Sequence, residues 1–200
     1  MKKNDYVKKR DYDLITKPDS LFTDGGVILS NPSPIGGTWA WCRTNSLGEQ
    51  YWEESGTTIF EPLTTNNQTE LFAVVRAFES LPCNWLGTVY CDSEITIGRV
   101  HESYKWTNIP NWMHQRYQLA VKRLNYFSSF KYVLLKGHPT KADLWEGQTA
   151  KGVPVSWHNV WCDRACKRQA EKYLADARLS MQIEKRTHDA EDAGYPERFM

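Results

Sequence analysis

Apolar residues along this chain recur with two periods, and the switches between them mark the elements. Leu21 to Leu29 reads as a strand interrupted by Asp24-Gly25-Gly26. From Gly37 to Arg43, Trp39 and Trp41 alternate with Thr38, Ala40 and Cys42, the period-two pattern of a strand. Glu49 to Ser55 is a third short strand, and the Ser46-Leu47-Gly48 link makes a hairpin of the two. The period then changes. Leu71, Val74, Val75 and Phe78 stand at i, i+3, i+4 and i+7, one face of a helix. Thr64-Thr65-Asn66-Asn67 supplies capping chemistry at its start, and Pro82 stops it. Gly87 to Cys91 is a short apolar strand, and Asp92-Ser93 opens a second helix to about Glu102. A third helix begins near Pro110, a suitable first-turn proline, and runs to about Phe127. Lys131 to Lys136 is the last strand. Gly137 to Ser156 is a loop, long for a compact domain, and loops of that length are usually functional or disordered. A final helix spans Trp157 or His158 to about Met181.

The order β-β-β-α-β-α-α-β-α predicts an α/β domain, a mixed sheet with helices packed on its faces. Residues 1–17 are charged and aperiodic and read as a tail. Residues 18–182 form one domain with an extended loop at 139–157, and residues 183–200 form a polar tail. Two hundred residues suffice for one sizeable domain, and 40% apolar with 24% charged residues fits a soluble globular protein. No stretch approaches a membrane-spanning length and no secretory apolar run follows the basic start. The five cysteines are odd in number and scattered, which predicts free thiols in a reducing, cytoplasmic setting.

The net charge is only +1, but it is unevenly distributed. Between Ser103 and Ala142 there are seven Lys or Arg and no acid; between Thr44 and Val75 there are five Glu and no base. Such asymmetry suits one surface for phosphates and another for cations, and equally suits two solvated faces. Nine Trp and ten Tyr supply core or flat surfaces for nucleic acid.

Four acidic residues have informative contexts. Asp24 lies mid-strand beside glycines that let a ligand approach the backbone. Glu70 lies in the first turn of a helix, Asp92 at the C-terminal end of a strand, and Asp163 early in the last helix. Each alone reads as a surface charge or a helix cap. Together they place acids on two adjacent strands and two helix starts that can converge. Hard divalent cations need clustered oxygen ligands, and two ions about 4 Å apart can clamp the attacking and leaving oxygens of a phosphoryl displacement.

The segments Thr65-Asn66-Asn67-Gln68-Thr69-Glu70-Leu71, Phe78-Glu79-Ser80-Leu81, Tyr90-Cys91-Asp92-Ser93, Lys136-Gly137-His138 and Asn159-x-x-Cys162-Asp163 resemble those of the type 1 ribonuclease H family, from about Leu21 to Tyr173. The resemblance implies a ribonuclease H-like fold, a five-stranded mixed sheet of three antiparallel strands followed by two parallel ones. It implies a monomeric endonuclease that hydrolyses the RNA strand of RNA–DNA hybrids and leaves 5′-phosphomonoesters. It further implies two Mg²⁺ ions, with Mn²⁺ as a substitute, held by Asp24, Glu70, Asp92 and Asp163. Asp24 resembles the carboxylate shared by both ions, Glu70 and Asp92 the ligands on the leaving-group side, and Asp163 a ligand on the water side. His138 resembles the mobile histidine of proton transfer or product release, and imidazole exchanges protons near neutral pH. Thr65, Asn66 and Asn67 resemble the loop that reads the minor groove, and they suit helix capping as well.

Two features depart from the family. Glu94 stands where bacterial relatives commonly carry an amide, and Val100 to Ile109 is too brief for the extra basic helix of many members. Lys105, Lys122 and Arg123, with the aromatics around them, are candidates to replace it as substrate contacts. The long loop carries Lys141, Trp145, Lys151 and Trp157 and reads as a substrate lid or a passive insertion. His158, Cys162 and Cys166 share a helix face, but a zinc site needs a fourth ligand, so they read as core. The competing functions are a nuclease of the same fold acting on DNA or junctions, and a hybrid-binding module without activity.

Overall fold

Strand order and direction in the sheet decide which chain ends meet. The computed structural model describes residues 19–192 apart from Glu102, and for 183–192 the backbone path alone. The N-terminal tail expected at 1–17 and the last residues of the C-terminal tail, 193–200, lie outside the described residues. Three antiparallel strands open the fold: β1 (Ser20–Val27), β2 (Gly37–Thr44) and β3 (Gln50–Thr58). Helix α1 (Asn66–Ser80) leads to β4 (Thr88–Cys91), which pairs in parallel with β1. Helices α2 (Glu94–Val100) and α3 (Asn111–Arg123) precede β5 (Lys131–Leu134), parallel to β4. A short helix α4 (Lys141–Glu146) and the long α5 (Trp157–Asp192) complete the chain. The sheet order β3-β2-β1-β4-β5 is the mixed sheet expected from the sequence.

Alternation along the strands divides the core in two. Leu21, Trp39, Trp41 and Val89 point to the side covered by α1 and α3, against Leu71, Val75, Phe78, Met113 and Tyr117. Phe22, Ala40, Cys42 and Tyr90 point to the opposite side, where Cys162, Ala165 and Cys166 of α5 cover them. Phe22 and Tyr90 stack at 4.8 Å between ring centroids. All five cysteines are free, and Cys42, Cys91, Cys162 and Cys166 are buried core thiols. Cys42 Sγ and Cys162 Sγ meet at 3.9 Å, and among the described residues no cysteine belongs to a group placed to hold a metal ion.

Three elements differ from the sequence expectation. The third helix ends at Arg123 rather than near Phe127, because the chain turns to insert Phe127 and Phe130 edge-on against Phe78. The segment 139–157, expected as an extended loop, is built. Thr140 accepts the Asp143 N–H at 3.1 Å, Asp143 returns the cap, and Gly147 ends α4 with φ of +74°. Leu144 is buried beneath it, and Lys136 N–H bonds Pro154 O at 2.9 Å. The last helix continues to Asp192, past the end expected near Met181, since no Gly or Pro interrupts it before Gly194. Among the described residues no helix is long and apolar enough to cross a membrane.

Candidate active site

Parallel pairing of β1 with β4 brings two of the acids together. The last paired residues are Phe22 and Tyr90, and two positions further along the chain from each stand Asp24, still on β1, and Asp92, just past the end of β4. Glu70 reaches them from the start of α1. That approach depends on Gly25: a Cβ there would collide with the backbone of Thr69 and Glu70. The missing side chain therefore lets the helix start lie directly on β1. Side-chain ligand atoms of Asp24, Glu70 and Asp92 all lie within 4.8 Å of one another.

Each carboxylate is held by few donors. Gly25 N–H donates to Asp24 Oδ1 at 2.8 Å. Asn66 Nδ2 donates to Glu70 Oε1 at 3.4 Å, and Asn159 Nδ2 donates to Asp92 Oδ2 at 3.4 Å. No donor among the described residues reaches Glu70 Oε2 or Asp92 Oδ1, although both atoms are buried. Burial pushes Asp24 well above the usual carboxylate range, and the charges of Asp92 and Asp163 push it further. Glu70 is raised by burial and then by Asp24 and Asp92. Asp92 is raised by burial, with Asn159 and the nearby His138 pulling the other way. Unpartnered, mutually repelling oxygens in a buried cluster are what a hard divalent cation satisfies, and no soft sulfur or nitrogen ligand lies in the cluster.

These residues line a cleft of about 640 Å³. Asp163 and His138 are on its wall, with Asn66, Asn159 and Trp157. Asp163 stands at the rim rather than within the three-acid cluster, and Lys167 Nζ bonds its Oδ2 at 2.7 Å. His138 is exposed, with φ of +50°, on the turn after β5. Its neighbour Gly137 lies so near Asp92 that a Cβ would come 2.7 Å from Oδ2.

Of the other expected contacts, Asn66 lines the cleft and the rest lie outside its lining. Thr65 is the N-cap of α1, its N–H bonded to Gln68 Oε1 at 2.8 Å, and Asn67 is exposed beside the cleft residue Asn66. Lys105 and Lys122 are exposed and outside the cleft lining. Arg123 donates to the carbonyls of Leu81, Phe78 and Glu79 at 2.6, 2.9 and 3.0 Å. It thus caps the far end of α1, about 15 Å of helix from Glu70. Trp112 stacks on Phe60, Tyr117 is core, and Glu94 accepts from Tyr104 at the surface. Sequence reasoning gave no site role to Asn159, Arg164 or Lys167. Their signal was present: Asn159, Asp163 and Lys167 stand at i, i+4 and i+8, a stripe beside the buried face of Cys162 and Cys166.

Comparison with known proteins gives the chain its family and fold relatives. The RNase H family model matches residues 17–171. The chain is 31% identical over 144 residues to ribonuclease H of Bradyrhizobium sp. (strain ORS 278), covering 70% of this chain and 75% of that one. It is 34% identical over 100 residues to ribonuclease H of Aromatoleum aromaticum, a match that spans 50% of this chain and 54% of that protein. LC11-RNase H1, isolated from compost and solved in complex with an RNA/DNA hybrid, shares the fold with a TM-score of 0.54 at 19% identity. That match covers 78% of this chain and 99% of the other.

Proposed function

The chain belongs to the ribonuclease H family, and we propose that it is an endonuclease cutting the RNA strand of RNA–DNA hybrids with two divalent cations, Mg²⁺ foremost. The observation that carries this reading is the cluster of Asp24, Glu70 and Asp92, gathered within 4.8 Å with two buried oxygens that no donor among the described residues reaches. Asp163 on the cleft rim completes a set of four carboxylates.

Asp24 would serve both ions, Glu70 and Asp92 the one on the leaving-group side, and Asp163, once freed from Lys167, the other. Bound there, the ions supply positive charge to the attacking and leaving oxygens. Hydrolysis adds water to phosphorus and breaks the P–O3′ bond, leaving a 5′-phosphate and a 3′-hydroxyl. His138, on the exposed turn beside Asp92, exchanges the proton that the departing oxygen takes up. Asn66 joins the hybrid to the site: its amide donates to Glu70 while its helix end borders the cleft. With Thr65 and Asn67 it offers donors and acceptors to sugars and base edges across the minor groove. The hybrid held by LC11-RNase H1 supports the same substrate class for this chain.

The test uses labelled RNA–DNA hybrid, duplex DNA and duplex RNA, each with Mg²⁺, Mn²⁺ or EDTA. We expect cleavage of the RNA strand of the hybrid with either metal and none in EDTA. Cutting of duplex DNA instead, or hybrid binding without cutting, would overturn the assignment.

A further inference from the structure

One wall of the cleft is cationic. Lys141 on α4 and Arg164 and Lys167 on α5 line the same cleft as the four carboxylates. Both elements are anchored. Leu144 pins α4, and Cys162, Ala165 and Cys166 bury the opposite side of α5, which turns Val160, Arg164 and Lys167 to the cleft.

The protein engages most of its other placed arginines internally. Arg43 pairs with Asp19, Arg76 with Glu54 and Glu79, and Arg116 with Glu79, while Arg123 caps α1. Among the described residues, neither Lys141 nor Arg164 has an ion-pair partner, and both are exposed. Lys167 is held on Asp163 at 2.7 Å, but an ammonium carries three donors and this contact uses one.

We propose that Lys141, Arg164 and Lys167 grip backbone phosphates of the cleaved strand beside the bond to be cut. The proposal rests on the hybrid-cutting reading above and adds which side chains carry the electrostatic grip. Arg164 and Lys167 are about 4.5 Å apart along the α5 axis. Because they share a cleft with the carboxylates, the phosphates they meet belong to the strand being cut. They fill the role of the basic helix for which residues 101–110, between α2 and α3, have no room: Arg99 ties that link down through the carbonyls of Lys105 and Thr107.

The test is equilibrium binding of RNA–DNA hybrid in EDTA over a salt series, so that cleavage plays no part. The Lys141→Gln, Arg164→Gln, Lys167→Gln triple variant should bind about ten- to a hundredfold more weakly near 0.1 M salt. Its slope of log K against log salt should be shallower by about two to three. A control removing the same charge from exposed sites outside the cleft (Lys131→Gln, Lys172→Gln, Arg178→Gln) should keep both values. Lys141→Arg, Arg164→Lys, Lys167→Arg should restore them, with thermal melts verifying that all variants fold. An unchanged slope in the wall variant, or an equal loss in the control, overturns the proposal while wild-type cleavage of hybrid leaves the nuclease reading standing. Failure of the wild type to bind or cut hybrid removes both.

Discussion

Replacing Asp24 with Asn should stabilise the metal-free protein while abolishing cleavage. The amide conserves shape and can still accept the Gly25 N–H, but it removes one of three carboxylates within 4.8 Å. At that separation an ionised pair repels by about 3 kcal/mol for an effective dielectric near 20. The cluster relieves part of this by keeping a proton, so the gain from Asp24→Asn should be about 1–3 kcal/mol. For a domain of this size that is a rise in Tm of roughly 3–10 °C. The sign with pH follows from the raised carboxyls. In the unfolded chain these groups ionise near their ordinary values of 3.8 and 4.5; in the folded protein they ionise later. Folding therefore binds protons, and wild-type stability falls as pH rises from about 4 through the raised folded values. The variant's advantage should vanish below about pH 4 and widen toward pH 8. Thermal melts in EDTA across this range provide the measurement. Mg²⁺ should raise the wild-type Tm more than that of Asp24→Asn, by linkage to the folded state. A variant melting at or below the wild type at pH 8 in EDTA would refute the repulsion and the cluster with it.

Three further outcomes are expected. His138→Ala should lower kcat by about ten- to a thousandfold with little change in KM, measured by steady-state kinetics on one hybrid. Gly25→Ala should destabilise by at least about 3 kcal/mol, because its Cβ meets the backbone of α1 rather than a movable side chain, and denaturant unfolding reads this directly. Arg123→Ala should lower Tm by roughly 2–4 °C, the loss of about 1 kcal/mol of helix-end hydrogen bonds, with hybrid affinity unchanged in the same preparation.

Much of this protein was legible in its sequence because local periodicity is a local property. Alternation around Trp39 and Trp41 set a strand, and the spacing of Leu71, Val74, Val75 and Phe78 set a helix, before any partner was known. Asp24, Glu70, Asp92 and Asp163 stood out because each occupies a strand or helix position from which side chains can converge. What periodicity cannot carry is distance through space. Only the parallel β1–β4 register put Asp24 beside Asp92, and only the bare backbone of Gly25 let Glu70 close on them. The acid-free run from Ser103 to Ala142 looked like one basic surface. Folding scattered it, with Arg123 on the end of α1, Arg116 on Glu79 and, of its seven cations, Lys141 alone lining the cleft. Charge along a chain has no direction, and its partners are assigned by packing. The sequence determined which residues could form a metal cluster, and the tertiary structure decided which cations would face it.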